Sequence, residues 1–589
     1  MSRRHRRLLR TCALVALSLA ISGCRAEPEG SRAAADLVLH DARIWTGVAG
    51  APAASALAVR GDKIVAVGSD SEVLALRGPD TRVLDLDGAF VVPGFSDNHT
   101  HFSSAARFLD FNIMRVQTQE ELAQRLSLAV DRLDPGEWIT GGLWGAYDRW
   151  TEGSAGGESR SPFTPDLTAS QIEELTREHP VFLTRFDGRE HAVNRRALEL
   201  AGLEPARDLP SIELQRDPQG RFTGILRGDR VAAHFAAVVP APSHARRVAM
   251  SKAALAEVRR RGVTSFSDMS DDQQLAIFRE LLASGELTAR VDFRYPLERW
   301  REAAEALAAQ PDDEAPWIRL GGLKGHVDGI MGNSTARFLE PYDHDPGNRG
   351  SWRKLMVDED GTFAGERFLE LMVEADAAGL QLSIHAIGDE ANHLLLDYLE
   401  QLRVRNGERD RRFRLVHAQV VGPDDFARFG GLGVVAEVQP YHLSDDMRWM
   451  EERIGSERSR GAYAFRSLLD GGAVLSFGSD WPGTAASEYP IDPLLGLYAA
   501  TTRKTLTGQP AEGWFPEQRL SLEEALRAYT HGSSYANLVD DRLGTLEVGK
   551  LADLAVLDRD LLEASPADLL AARVRYTIVG GRIVFEGDR

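Results

Sequence analysis

Apolar and polar positions follow two alternating patterns from about residue 93 to about residue 535. Short apolar or β-branched runs, which predict strands, alternate with stretches of helical periodicity such as 251–260 and 366–378. This order predicts an α/β fold built as a (β/α)8 barrel, because each helix returns the chain to a parallel neighbouring strand. We place the barrel strands near residues 90–95, 262–267, 289–295, 318–326, 380–385, 413–417, 434–438 and 474–477.

Both ends of the chain are rich in predicted strands instead, broken by Gly and Asp turns. A second departure from the barrel pattern lies between its first two strands. The insertion there, about 102–261, is far longer than an ordinary connection and predicts a cap over the barrel. The terminal strands are predicted at residues 37–45, 56–67, 82–86, 554–557 and 576–585.

A His-x-His pair, His99 and His101, follows the apolar run at the first predicted barrel strand. On an extended strand the side chains at i and i+2 share one face, so both imidazoles can reach one metal ion. Three more candidate ligands each close a later apolar run. They are His385, His417 and Asp480, and Trp481-Pro482 then ends the last of these runs. The carboxyl ends of parallel barrel strands share one mouth, where we expect these side chains to meet.

The segments around these residues resemble amidohydrolase family 3, the branch that includes N-substituted formamide deformylase. The resemblance runs from about residue 36 to the C-terminus. It implies a (β/α)8 TIM-like barrel with a β-sandwich composed of both chain ends. The matching segments are Ser-Ile-His-Ala-Ile-Gly-Asp at 383–389, Val-His-Ala-Gln at 416–419, Val-Gln-Pro-Tyr-His at 438–442, Phe-Gly-Ser-Asp-Trp-Pro at 477–482 and Gly-Lys-Leu-Ala-Asp-Leu at 549–554.

The same resemblance implies how the chain divides into domains. Residues 36–92 and 536–589 would form the composite β-sandwich, and residues 93–535 the barrel with its cap at about 102–261. The N-terminal remainder divides into residues 1–24, a signal peptide, and residues 25–35, a small polar tether.

The resemblance also implies the ligands of one or two divalent ions, with Zn²⁺ as the expected metal. Lys324 would be a carboxylated lysine that bridges two ions; its alternative is an ion-paired lysine, with Asp328 as a partner. Asp480 would act as general base and acid, and its alternative is a capping aspartate. The complete implied set is His99, His101, Lys324, His385, His417 and Asp480.

Four further residues are candidates for supporting roles. We expect Asp97 to accept a hydrogen bond from an imidazole, and His442 to contact the substrate. Trp144 and Asp187 lie in cap segments similar to those of the family and would contact the substrate, although Trp144 has cap core as its alternative. The Asp187 segment departs from the family pattern, reading Asp-Gly-Arg where relatives have Asp-Gly-His. His326 is assigned to packing.

Charge narrows the choice of partner. The formal net charge of −19 becomes −24 once the five arginines of residues 1–24 are removed. So acidic a chain would repel phosphates, which argues against nucleic acid. We expect a small amide-type molecule as substrate, and a second copy of the chain is a candidate partner in a homodimer.

The first 24 residues predict export. A cluster of arginines precedes the apolar stretch 11–19 and the segment Ile21-Ser22-Gly23-Cys24, which resembles a bacterial lipoprotein signal. Cys24 would carry the lipid and anchor the protein to a bacterial membrane at its periplasmic face. An uncleaved signal and an ordinary secreted form are the alternatives, and both Sec and twin-arginine export are open.

The predicted function is metal-dependent hydrolysis of a non-peptide C–N bond in an amide, N-acyl or N-formyl compound. Two kinds of alternative remain. Similar barrels open lactones, hydrolyse esters or deaminate rings, and a catalytically silent lipoprotein could use the same barrel to bind a ligand.

Overall fold

The computed structural model describes residues 34–145, 163–204, 209–484 and 487–587. Three sheets organise this part of the chain, with eight, seven and five strands. The signal peptide, Cys24 and nearly all of the predicted tether lie outside the described residues.

The strands in chain order are β1 (Ala35–Ile44), β2 (Ala56–Arg60), β3 (Lys63–Gly68), β4 (Arg77–Pro93), β5 (Phe95–Thr100), β6 (Ile139–Trp144), β7 (Val181–Arg185), β8 (Glu190–Val193), β9 (Glu213–Arg216), β10 (Phe222–Arg227), β11 (Val263–Asp268), β12 (Arg290–Pro296), β13 (Ile318–His326), β14 (Gln381–Ala386), β15 (Arg414–His417), β16 (Val435–Val438), β17 (Val474–Phe477), β18 (Leu554–Leu557), β19 (Val574–Val579) and β20 (Arg582–Glu586).

The α-helices are Asp70–Leu74, Phe102–Asp110, Gln119–Val130, Ser170–Leu175, Arg195–Leu200, Val231–Ala236, His244–Arg260, Asp272–Ala283, Trp300–Ala308, Gly365–Ala377, Asp389–Asn406, Phe426–Leu432, Pro440–Asp446, Met450–Ser459, Phe465–Asp470, Pro493–Thr502, Leu522–Tyr529, His531–Ala536 and Pro566–Ala571. Short 3₁₀ turns lie at Leu297–Arg299, Met331–Asn333, Lys354–Met356, Pro516–Gln518 and Leu561–Glu563.

The eight-stranded sheet is parallel and runs in chain order through β5 and then β11 to β17. The segment that follows β17 closes the barrel against β5. Here the Asp480 amide donates to the His99 carbonyl at 2.8 Å, and the His101 amide donates to the Trp481 carbonyl at 2.8 Å. The predicted α/β barrel with an additional β domain is therefore confirmed. Helices cover the strands from outside, and the largest hydrophobic cluster joins the two layers.

The first barrel strand differs from the prediction. It is Phe95–Thr100, whereas residues 90–93 end β4 and pair with β18 in another sheet. The apolar run is continuous across both strands, so only the local backbone separates them. At the boundary, a Cβ on Gly94 would lie 2.1 Å from the Thr264 hydroxyl, so this close approach of β11 needs glycine.

The seven-stranded sheet combines both chain ends, in the order β20-β19-β18-β4-β1-β2-β3. It is one hydrogen-bonded sheet, and side chains from both chain ends, among them Leu57 and Ile578, share one hydrophobic cluster. A buried ion pair from Arg290 to Asp553, with 2.7 Å between Nε and Oδ2, fastens it to the barrel.

The five-stranded sheet, in the order β6-β7-β8-β10-β9, lies within the insertion between β5 and β11. It has hydrophobic clusters of its own, one around Leu126 and Trp144 and another around Phe235. Among the described residues, no helix is both long and apolar enough to cross a membrane.

Candidate metal centre

The six predicted ligands all lie at the carboxyl end of the barrel. His99 is on β5 with His101 just beyond it, Lys324 is on β13, His385 on β14 and His417 on β15, and Asp480 follows β17. A cavity of about 220 Å³ opens at this mouth, and its wall includes His101, His385, His417 and Asp480.

His99, His101 and Asp480 form the tightest group. The Oδ1 atom of Asp480 lies 3.1 Å from Nε2 of His101 and 3.5 Å from Nε2 of His99. One possible ligand atom from each residue lies within 4.8 Å of the other two, so these atoms could hold one metal ion together.

The other two imidazoles adjoin this group. The ring of His417 lies 4.9 Å from that of His99 and 4.5 Å from that of His385, measured between centroids. Burial lowers the pKa of both His99 and His417 well below the usual value, so both rings are neutral at pH 7. Neutral imidazole is the form that binds metal.

Each of three imidazoles is fixed through one ring nitrogen. Nδ1 of His99 donates to Glu437 Oε1 at 2.7 Å, and Nδ1 of His417 donates to Gln439 Oε1 at 2.7 Å. Nε2 of His385 donates to the Gly329 carbonyl at 2.9 Å. Since a neutral imidazole carries one N–H, the opposite nitrogen of each ring keeps its lone pair, which is what a ligand for a divalent ion requires.

Glu437 connects the centre to a buried charge network. Its carboxylate accepts from Arg294 at 3.0 and 3.1 Å and from Arg414 at 2.7 Å. Burial alone would raise the pKa of Glu437, but the two guanidinium groups hold it below the usual value. The sequence analysis missed this residue, although Glu437 and Gln439 are polar residues spaced i, i+2 at the end of a buried apolar strand.

Asp97 supports the site in a different way from the one predicted. Its Oδ1 accepts from the backbone amides of His99 at 3.1 Å and Ser479 at 2.9 Å, not from an imidazole. The partner of the His99 ring is Glu437 instead. Asp97 thereby ties the first barrel strand to the segment that carries Asp480, and burial raises its pKa to about 7.

Lys324 is buried, and its Nζ lies 3.5 Å from Nε2 of His99. Burial lowers its pKa to about 7, with Arg294 acting in the same direction and Glu437 opposing it. The alternative partner, Asp328, accepts from the backbone amides of Ile387 at 3.1 Å and Gly388 at 2.9 Å. The geometry thus places the amine among the candidate ligands.

Two predicted ligands adopt an unusual backbone. His417 has φ of 73° and Asp480 has φ of 62°, in the left-handed region that costs residues other than glycine about 1–3 kcal/mol. Such strain is typical of functional sites, and here it turns both side chains toward the mouth at the points where their strands end.

His442 and His326 both line the 220 Å³ cavity. Nε2 of His442 donates to the Ser479 carbonyl at 3.1 Å, and its ring stacks on Tyr489 at 3.9 Å. His326, assigned to packing, instead has its ring 5.2 Å from that of His385. The spacing rule used for His99 and His101 also relates Lys324 to His326 and could have identified it.

Asp446 is another wall residue that the sequence analysis missed. Its Oδ2 accepts from Gln419 Nε2 at 2.7 Å and from the Tyr463 hydroxyl at 2.6 Å. Burial raises the pKa of this carboxyl group to about 7. These hydrogen bonds join three separate segments of the chain, so no local sequence motif could have indicated them.

The structure does not bring the two cap candidates to this cavity. Trp144 is 2% exposed and packs in the core of the cap, as its alternative assignment stated. Asp187 instead accepts from the backbone amide of Arg189 at 3.1 Å and pairs with Arg185 at 3.3 Å.

An eight-stranded barrel with imidazoles and a carboxylate at its carboxyl-end mouth defines a metal-dependent hydrolase as the class of protein. A family model described as "Amidohydrolase family" matches residues 82–585, and the chain belongs to that family. It is a hydrolase that acts on C–N bonds.

Relatives span nearly the whole chain. Protein LONG AFTER FAR-RED 3 of Arabidopsis thaliana is 33% identical and covers 94% of this chain and 92% of its own length. N-substituted formamide deformylase of Arthrobacter pascens is 28% identical, covering 94% and 98%. The crystal structure of an uncharacterized metal-dependent hydrolase from Pyrococcus furiosus has a TM-score of 0.69 at 26% identity, covering 90% of this chain and 100% of that one.

Proposed function

We propose that this protein hydrolyses the C–N bond of a small amide, N-acyl or N-formyl compound with the help of one or two divalent ions, Zn²⁺ being the expected metal. One observation carries the proposal: three neighbouring imidazoles are each fixed through one nitrogen and keep the other for a ligand. The similarity to N-substituted formamide deformylase supports the choice of substrate class.

The donor set fits the metal. Histidine nitrogen and carboxylate oxygen are ordinary zinc ligands, and the group of His99, His101 and Asp480 supplies both kinds. The rings of His417 and His385 lie beside this group and offer further nitrogens. When bound, the ion would polarise the substrate carbonyl and make water acidic enough to attack it near neutral pH.

Asp480 carries the proton in this proposal. Burial opposes its charge, but His99 and His101 hold its pKa well below the usual value, so it is ionised at pH 7. It takes a proton from the attacking water as the C–O bond forms. It returns that proton to the nitrogen as the C–N bond breaks, releasing an amine and a carboxylic acid.

We also propose that Lys324 is carboxylated. With its pKa lowered to about 7, a substantial fraction of the amine is neutral at pH 7 and can attack CO₂. The N–C bond forms, one proton leaves, and a carbamate anion replaces a cation that would repel a metal. This modification would let Lys324 bridge two ions.

Metal content and turnover, measured on one preparation, test the proposal. We expect one or two Zn²⁺ per chain by plasma mass spectrometry, hydrolysis of an N-formyl and N-acyl amine panel, and loss of activity on chelation. Two ions with a carbamate mass on Lys324 would support the bridge, and one ion with an unmodified lysine would refute it. Absence of turnover of the whole panel after metal reconstitution would refute the proposed amide, N-acyl or N-formyl substrate class.

We further propose export and lipid anchoring through Cys24, which rest on the N-terminal sequence alone. In a bacterial host, labelled palmitate should be incorporated into the protein and lost in Cys24→Ser. An unlabelled parent protein would exclude the anchor.

A further inference from the structure

A second cavity lies beside the metal centre, between the cap and the barrel. Its volume is about 490 Å³, within the range of about 300–1,000 Å³ that is usual for ligand pockets. The cap contributes strand β6, the segment 239–243 and the helix Phe102–Asp110, and the barrel contributes residues 482–484. None of the six predicted metal ligands lines it.

The two cavities share a wall at the segment that follows Asp480. Thr484 lines both of them, and Pro482 and Gly483 line the larger one. The Gly483 amide donates to the Asp480 carbonyl at 2.8 Å, which keeps this segment against the catalytic aspartate. The two cavities therefore adjoin each other at Thr484.

The wall of this cavity is chiefly apolar, with side chains such as Phe108, Leu143 and Met250. Two of its charged residues neutralise one another, since Arg246 Nη2 lies 2.6 Å from Asp110 Oδ2. Arg107, Asn112 and Glu137 also line it, so it is the apolar part of the wall that is suited to an uncharged hydrocarbon group.

The alternation of side chains along strand β6 determines which of them face the 490 Å³ cavity. Leu143 lines the cavity while its neighbour Trp144 faces the cap core, since successive strand residues point to opposite faces. Gly141 and Gly142 interrupt the strand with φ of 90° and 56°, and the pairing of β6 with β7 shifts register there. Phe111 packs over Gly142, where a Cβ would approach the ring to 2.8 Å.

We propose that this cavity binds an apolar alkyl or aryl substituent of the amide substrate, and so selects substrates with such a group on one side of the C–N bond. The proposal rests on the proposed function, since the scissile bond must lie at the metal centre. It assigns to Leu143 and Thr484 the selection of substrate length.

Two homologous substrate series test it: N-methylalkanamides, which lengthen the acyl side, and N-alkylacetamides, which lengthen the amine side. In one of the two series, kcat/KM should rise about threefold to fourfold per methylene until the cavity is full. The series that rises identifies the side of the bond that the cavity receives.

Leu143→Trp should reduce kcat/KM for the longest substrates of that series at least tenfold and change the shortest less than twofold. Leu200→Trp is the matched control, because Leu200 is 44% exposed on a cap helix and does not line the cavity. Thr140→Trp, at an exposed wall position on the same strand, should have the same effect and replaces Leu143→Trp if that variant does not fold.

Binding without turnover separates this proposal from the proposed function. Calorimetry with N-octylacetamide and N-methyldecanamide on the Asp480→Asn protein should show at least one binding event that Leu143→Trp weakens tenfold and Leu200→Trp does not. That result would uphold the cavity even if no amide is hydrolysed. If neither Leu143→Trp nor Thr140→Trp weakens the binding of either probe to the Asp480→Asn protein, the cavity proposal is overturned.

Discussion

The metal centre and the cavity beside it meet at Thr484 but are built differently. The metal centre takes its imidazoles from barrel strands, and buried polar groups hold three of them. The cavity takes much of its wall from the inserted cap, with mainly apolar side chains. We infer from this difference that the barrel would supply the bond-breaking chemistry and that the insertion would govern which molecules reach it.

The largest effect should come from the chemistry. Asp480→Asn removes the proton carrier, so kcat should fall by about 10³-fold, within the range expected for general acid–base catalysis. Steady-state kinetics on the best substrate of the panel would measure this. Far-ultraviolet circular dichroism and metal content serve as controls and should change little. A kcat within tenfold of the parent would show that another group carries the proton.

The second-largest effect concerns the buried charge network around Glu437. Glu437→Ala leaves Arg294 and Arg414 buried with Asp292 as their remaining carboxylate, so that one positive charge loses its partner, and should lower the free energy of unfolding by about 3–5 kcal/mol. Gln439→Ala removes only a neutral partner of His417 and should cost about 1–3 kcal/mol. Urea denaturation of the metal-free proteins would compare them. Equal losses of unfolding free energy in the two variants would mean that the buried charge of Glu437 contributes no more than the neutral partner Gln439.

Adjacent residues of β6 provide a smaller test of the cap. Trp144→Phe leaves space in the core and should lower the free energy of unfolding by about 1–3 kcal/mol without altering substrate range. Leu143→Phe should change stability less than that and instead shorten the longest substrate accepted. Thermal unfolding and the substrate series would measure both. If Trp144→Phe changes the longest substrate that the enzyme accepts, the assignment of Trp144 to the cap core and of Leu143 to the cavity wall is wrong.

The smallest effect concerns pH. Burial raises the pKa of Asp446 from its ordinary 3.8 to about 7, so the folded protein binds a proton that the unfolded chain has released. Its contribution to stability is therefore present below about pH 4 and is lost as pH rises to about 7. Asp446→Asn should flatten this decline in urea denaturation at pH 4 to 7. An unchanged slope would assign the dependence to other groups.

The positions of the candidate ligands along the strands could be predicted from sequence, because strand periodicity and strand ends are local properties. His99 and His101 lie two residues apart, and His417 ends an apolar run, so neither inference needs a distant contact. Glu437 could not be assigned in the same way, because its role depends on Arg294, which lies 143 residues away. Only the closed barrel brings these two residues together.

The cap was harder to predict for a related reason. The sequence marks the segment around Trp144 as similar to the family but does not say which face of the strand looks inward. The glycines at 141 and 142 and the register shift decide that, and they place Leu143 rather than Trp144 at the cavity. The boundary between β4 and β5 at Gly94 was equally hard to predict, since the apolar run continues across it although the chain passes there from one sheet to another.

The sheet composed of both chain ends has a consequence for biosynthesis. Strand β4 pairs with β18, so one of its edges cannot be covered until residues 554–557 have been synthesised. A ribosome-bound chain would meanwhile expose an apolar strand edge, which invites aggregation. We therefore expect a stop codon shortly before residue 554 to yield insoluble material rather than a smaller enzyme.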